Sequence, residues 1–175
     1  MNGDEMEESK KILMNRSITT ERTVSFAHIV DESVKCGVMH GHNYKVVVDV
    51  NARMLNKGMI VDFTSVKKII DELDHKLVLS NKQYTGNDKF IANGKEYVVP
   101  VEEQIMVDVP YITAEYLSSY FAKRILNVEH NIFAVSVEVF ETDTSSAVAT
   151  YTRDLTNAMY GMQKDGEEES NGEAS

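Results

Sequence analysis

Several things are scarce in this chain, and each shortage removes a class of answer. There is one cysteine, Cys36, in 175 residues. A single thiol cannot close an intrachain disulfide, so the expected setting is reducing and cytoplasmic. No apolar run approaches the length that a membrane-spanning helix needs. The opening MNGDEMEESKK is acidic and polar, and so reads as neither a signal nor a transit peptide. Positive charge is short as well: 18 Lys and Arg stand against 28 Asp and Glu, a formal net of −10, which argues against a nucleic-acid partner. Much of that excess sits at the ends. Residues 161–175 carry one lysine against five carboxylates, and residues 1–11 carry two lysines against four. The remaining body is only mildly acidic and can still hold a local basic pocket for an anionic substrate. The length fits one core. The expected organisation is a solvated acidic tail over 1–15, one domain over 16–160 and a second acidic tail over 161–175.

Within the body the periodicities alternate between two and about three and a half. Residues 18–30 read as a strand with Val24, Phe26 and His28 on one face. A polar loop, DESVKCGVM, leads to a second strand over 42–54, with His42, Tyr44, Val46, Val48 and Val50 on one face. Residues 64–74 predict a helix capped by Thr64, its apolar positions being Val66, Ile69, Ile70 and Leu73. Residues 80–110 form a long polar insert, in which Asn93-Gly94 between two apolar arms predicts a hairpin. A second helix is expected over 112–126, with Thr113 as its cap and Ala114, Leu117, Phe121 and Ile125 as its stripe. Two more strands follow, over 131–142 and 147–155. The first places Phe133, Val135, Val137 and Val139 in one row that ends at Glu141.

The chemistry is densest in KCGVMHGHNYKV, residues 35–46. His40 and His42 lie at i and i+2, so on an extended segment both rings point the same way, as a zinc site on a strand requires. Gly41 between them keeps the opposite face uncrowded. If the first two strands pair antiparallel, His28 lies near His42 and adds a third nitrogen donor. Three protein ligands with one open position is a catalytic arrangement. The plain alternatives are packed or edge-exposed histidines. Cys36 reads three ways: as a fourth ligand of a structural site, as an inert buried thiol, or as a thiolate beside the metal. Asp74 and His75 are adjacent, which suits a carboxylate that orients an imidazole, or simply a polar helix end. Glu141 suits either a strand end meeting water or a carboxylate fork for a guanidine-like edge. His130 reads as surface.

FAH (26–28), CxxxHGHNY (36–44), GMIVDF (58–63), LDHK (73–76), TAE (113–115) and ET (141–142), in this order, resemble the 6-pyruvoyltetrahydropterin synthase family. That family includes the 6-carboxytetrahydropterin synthases of queuosine and archaeosine precursor synthesis. The resemblance implies an α+β T-fold: an antiparallel four-stranded sheet with two helices on one face. Trimers of the family close the sheet into a barrel, pairs of trimers stack into hexamers, and active sites lie between subunits. It also implies a role for each motif residue: zinc on His28, His40 and His42, Cys36 as the catalytic thiolate, Asp74 and His75 as its proton-transfer partners. Glu141 becomes the pterin anchor, with Thr113 and Glu115 lining the pocket. The implied substrate is 7,8-dihydroneopterin triphosphate.

The three residues between Cys36 and His40 resemble the 6-carboxytetrahydropterin branch, which releases acetaldehyde and triphosphate. The pyruvoyl branch, which eliminates triphosphate only, is associated with longer spacing. A folate-linked group carries a glutamate in this loop, and residues 37–39 contain none. The alternatives are a pyruvoyl synthase, or a pterin-binding or zinc-stabilised module without catalysis. LVLS after LDHK and the long 80–110 insert depart from the compact family pattern. Lys35, Lys45 and Lys76 are the candidates for contact with the triphosphate.

Overall fold

The computed structural model describes residues 16–153, so both expected acidic tails, and residues 154–160 with them, lie outside the described residues. Alternation sets the long strands. Along β2 (His40–Ala52) the side chains of Tyr44, Val46, Val48, Val50 and Ala52 are all buried, while Lys45, Val47, Asp49 and Asn51 between them retain exposure. β1 (Arg16–His28) adds Val24 and Phe26 to the same layer, and β7 (Ile132–Thr142) adds Val135, Val137 and Val139. β8 (Ser145–Thr152) completes the long set, and β1–β2, β2–β7 and β7–β8 all pair antiparallel. Helices α1 (Phe63–Asp71) and α2 (Ala114–Leu126) cover the buried face with Val66 and Ile70 from one and Leu117, Phe121 and Ile125 from the other. Each such aliphatic or aromatic side chain contributes about 1.5–3 kcal/mol by leaving water, so this layer dominates the stability.

The sheet has six strands, not the four expected from sequence. Its order is β6-β3-β1-β2-β7-β8, where β3 (Leu77–Ser80) pairs parallel with β1, and β6 (Gln104–Val107) pairs parallel with β3. All four residues of β3 are buried. A short apolar run without alternation is the pattern of a strand covered on both faces, which a search for period two misses. The 80–110 segment is therefore not merely polar. It supplies β6, and it also supplies the hairpin of β4 (Lys89–Ala92) and β5 (Lys95–Val98). Asn93 and Gly94 turn that hairpin at φ 47° and 73°, the two positive values that its two-residue turn requires.

Three local expectations need correction. The cap of α1 is Asp62, whose carboxylate accepts the Thr64 N–H at 2.9 Å, and the helix stops at Asp71. The chain then turns so that His75, at φ 57°, can donate its backbone N–H to the Ser25 carbonyl. Thr113 occupies the N-cap position of α2 but makes no side-chain capping bond. Phe133 does not share the row of Val135. A bulge pairs Asn51 with Ala134 and Ala52 with Ile132, so Ile132 enters the core while Phe133 lies under the Arg53 guanidinium. Among the described residues no helix is long and apolar enough to cross a membrane.

Candidate metal and active site

Strand register brings the histidines together. His28 lies directly opposite His40, and Phe26 opposite His42, so all three imidazoles share the face that carries the core. The cross-strand neighbour of His28 is thus His40, at 4.4 Å between ring centroids; His42 is its diagonal neighbour at 5.5 Å. His28 thus lies near His42, as expected from antiparallel pairing, and nearer still to His40, because β1 and β2 run on to the His28–His40 pair. Gly41 has no side chain on the other face, where a Cβ would sit 3.0 Å from the Phe26 carbonyl oxygen. Below the histidines, Phe26 and Tyr44 stack at 4.4 Å as an apolar floor.

Backbone carbonyls orient two of the rings. His28 Nδ1 lies 2.8 Å from the Ile112 oxygen, and His40 Nδ1 lies 2.8 Å from the Val38 oxygen. A carbonyl can only accept, so each Nδ1 carries the proton and each Nε2 keeps its lone pair for the cluster. Burial is the main reason that His28 titrates low, at about 4, ahead of its two histidine neighbours and against the Ile112 bond. The Tyr44 hydroxyl is 3.2 Å from His28 Nε2. Its phenol is pushed up by burial, then by Glu141 and Cys36.

Glu141 joins the group through a second bulge. Phe140 pairs with Ser146 and Thr142 with Ser145, which leaves Glu141 as the extra residue of β7. Its Oε1 lies 3.2 Å from His42 Nε2, although the approach is out of line for a hydrogen bond. One ligand atom from each of His28, His40, His42 and Glu141 lies within 4.8 Å of all the others. His40 Nε2 and His42 Nε2 are buried without a hydrogen-bond partner among the described residues. Buried, unpartnered and convergent lone pairs are costly unless something accepts them. The group is therefore able to bind a metal, and its nitrogen-rich donor set suits zinc.

The remaining expected residues divide between two sides. Cys36, half-buried in the β1–β2 loop, is not among the convergent ligand atoms. Thr113 and Glu115 open α2 immediately after Ile112, the residue that holds His28. The Thr113 hydroxyl is the chief cause that keeps the Glu115 carboxyl below its ordinary range. Asp74 does orient His75: its Oδ2 lies 2.9 Å from His75 Nδ1, while its Oδ1 accepts the Ser25 N–H at 2.9 Å. The Ser25 bond is the main reason that the Asp74 carboxyl titrates low. His75 borders a 660 Å³ cleft whose lining includes Ser25, Ala27, Gly41 and Asn43 and also Phe26 and His42. Ser25, Ala27, Gly41 and Asn43 alternate with Phe26, His28, His40 and His42 along the β1–β2 ribbon, so the side chains of Ser25, Ala27 and Asn43 point away from the rings. Lys76 borders the same cleft and donates to the Glu102 carbonyl at 2.6 Å. Lys45 lies over the Phe140 ring, Lys35 is exposed in the Cys36 loop, and His130 is exposed.

Sequence reasoning missed Tyr44 as a neighbour of the ligands and missed both orienting carbonyls. Tyr44 was legible as the next residue on the histidine face. The carbonyls carry no signal, because every residue has one.

The family model for 6-pyruvoyl tetrahydropterin synthase matches residues 17–153. A Pyrococcus horikoshii protein provisionally named 6-carboxy-5,6,7,8-tetrahydropterin synthase is 34% identical over 149 residues, covering 81% of this chain and 94% of that protein. The 6-carboxy-5,6,7,8-tetrahydropterin synthase of Haemophilus influenzae is 27% identical, covering 73% and 94%. Among solved structures, a Plasmodium vivax 6-pyruvoyltetrahydropterin synthase superposes with a TM-score of 0.66 at 18% identity, covering 80% of this chain and 99% of that one, a likeness of fold.

Proposed function

The chain belongs to the 6-pyruvoyl tetrahydropterin synthase family, a family of lyases, and from that premise we propose that it is a zinc-dependent lyase. It converts 7,8-dihydroneopterin triphosphate and water to 6-carboxy-5,6,7,8-tetrahydropterin, releasing acetaldehyde and triphosphate. The observation that carries the zinc site is the convergence of ring nitrogens from His28, His40 and His42, two of them buried without a hydrogen-bond partner among the described residues. The 6-carboxy product is supported by the names of the relatives and by the three residues between Cys36 and His40.

His28, His40 and His42 would hold the zinc, which when bound supplies a Lewis acid for the substrate's side-chain oxygens. The other work falls to the chain's own residues. Cys36, in the loop that enters the His40 strand, removes a proton from the substrate side chain. Glu141 accepts from the N–H and NH2 edge of the pterin, with Thr113 and Glu115 beside it. His75, held through Nδ1 by Asp74, presents Nε2 as the second proton carrier. Because His75 is exposed and stands outside the convergent group, it serves the histidine cluster of another copy. The active enzyme is then a homo-oligomer whose sites lie between subunits.

Incubation with 7,8-dihydroneopterin triphosphate, followed by mass identification of products, tests the reaction. Acetaldehyde with 6-carboxytetrahydropterin is expected. Triphosphate without acetaldehyde would assign the pyruvoyl reaction, and no turnover by the zinc-loaded protein would leave a non-catalytic pterin-binding module. Glu141 is tested separately. As an anchor, Glu141→Gln raises KM and keeps zinc; loss of zinc would make Glu141 a ligand.

A further inference from the structure

The 80–110 segment has no part in holding the histidines, yet it is bonded to the loop that carries Cys36. It is well braced for that. Phe90 and Ala92 of β4 are buried with Ile29, Leu77 and Leu79 in a second small core, and Phe90 stacks on Tyr97 across the hairpin at 5.4 Å. The hairpin turn then reaches the loop at both ends. The Asn93 backbone N–H donates to Asp31 Oδ1 at 2.7 Å, and the Asn93 side-chain amide donates to the Gly37 carbonyl at 3.1 Å. The other Asp31 oxygen accepts from Gln83 Nε2 at 3.0 Å. Gln83 is 2% exposed and fully engaged, donating also to the Ile29 carbonyl and accepting the Ser80 N–H.

Cys36 sits inside this bracket. Its carbonyl accepts from Val30 N–H and its N–H donates to Ser33 Oγ, so the loop supplies two of its own restraints. The third, one residue on, comes from Asn93. Gly37 is buried, and a Cβ there would collide with the Asn93 amide and the Ser33 carbonyl. Position 93 is demanding in two ways at once. At φ 47° it favours Asn, Asp or Gly, and of these only Asn carries a side-chain donor for a carbonyl.

We propose that the β4–β5 hairpin is a strut that positions the Cys36 loop, with Asn93 as the positioning residue acting through Gly37. This rests on the reading of Cys36 as the proton-transferring thiol. The hairpin thereby has a role in turnover without touching substrate.

The test uses the full-length zinc-loaded protein and the variants Asn93→Gly and Asn93→Asp, both of which tolerate the turn conformation. Asn93→Gly removes the donor, and Asn93→Asp replaces it with an acceptor facing a carbonyl. Iodoacetamide reads the loop directly, because Cys36 is the chain's sole thiol. Both variants should be alkylated several-fold faster and should lose about tenfold or more in kcat, since a small misplacement of a reacting group is that costly. KM, zinc content and melting temperature should stay near those of the parent. Unchanged alkylation overturns the strut, whatever happens to kcat. Faster alkylation with unchanged kcat overturns its role in turnover. If Cys36→Ala still turns over, the reading of Cys36 fails, while alkylation still reports separately on whether Asn93 holds the loop.

Discussion

His28 and His75 both attach to strand β1, and they are held in opposite ways. His28 is 1% exposed, its Nδ1 is tied to a main-chain carbonyl, and its partners are other rings. The His75 side chain is 84% exposed, sits on a turn at φ 57°, and has one carboxylate beside it. The contrast fits the proposed reading in which one chain finishes half of the site and another copy completes it. A metal cluster needs its lone pairs fixed and desolvated in advance, and the sheet does this within the chain. In the proposed mechanism His75, as a proton carrier, needs only its tautomer set by Asp74, and its desolvation would come from an assembled neighbour.

The largest expected effect comes from breaking the buried half. His40→Ala should abolish stoichiometric zinc and turnover, whereas His75→Ala should keep the zinc, as metal analysis of the purified proteins would show. Zinc loss in both variants would erase the contrast. Next come the proton carriers. Cys36→Ala and His75→Ala should each lower kcat by about 10²–10⁴ with zinc retained. Co-assembled oligomers of the two inactive variants should regain part of the activity, because each intact residue then meets the other copy's site. Absence of any recovery would place His75 in its own chain's site.

A smaller effect is expected from Tyr44→Phe. The hydroxyl approaches the same Nε2 that a metal would use, so it does not support the donor set. Zinc affinity in chelator competition should then stay within about tenfold, the lower edge of what lost supporting contacts cost. A larger loss would make Tyr44 part of the site's support. The smallest effect is one of pH. Because the Asp74 carboxyl titrates below its ordinary value, its contribution to stability is complete above about pH 4 and falls away as pH drops through its lowered pKa. Asp74→Asn should flatten stability against pH in that acid range, measured by denaturant unfolding.

The legibility of these parts followed the range of the interactions involved. Asn93-Gly94 was readable as a hairpin turn because the required φ values belong to those two residues. Val46, Val48 and Val50 were readable as one face because a strand's period is two. The bulge that places Ile132 in the core instead of Phe133 was not readable, since nothing local distinguishes a regular strand from one with an extra residue. β3 was missed for a related reason: a strand buried on both faces has no alternation to find. Thr64 was read as the α1 cap, whereas the backbone dihedrals put the cap two residues earlier, at Asp62.

By itself, then, the chain's order of residues determined that His40 and His42 are co-facial, that Tyr44 continues their row, that Asp74 adjoins His75, and which family motifs are present. These follow from backbone periods that act over a few residues. Only the tertiary structure decided that His28 lies directly opposite His40, that Ile112 and Val38 aim the rings, that a bulge delivers Glu141, and that Asn93 grips the loop of Cys36. Those contacts depend on register and on main-chain atoms brought from distant segments, and main-chain atoms are the same in every residue.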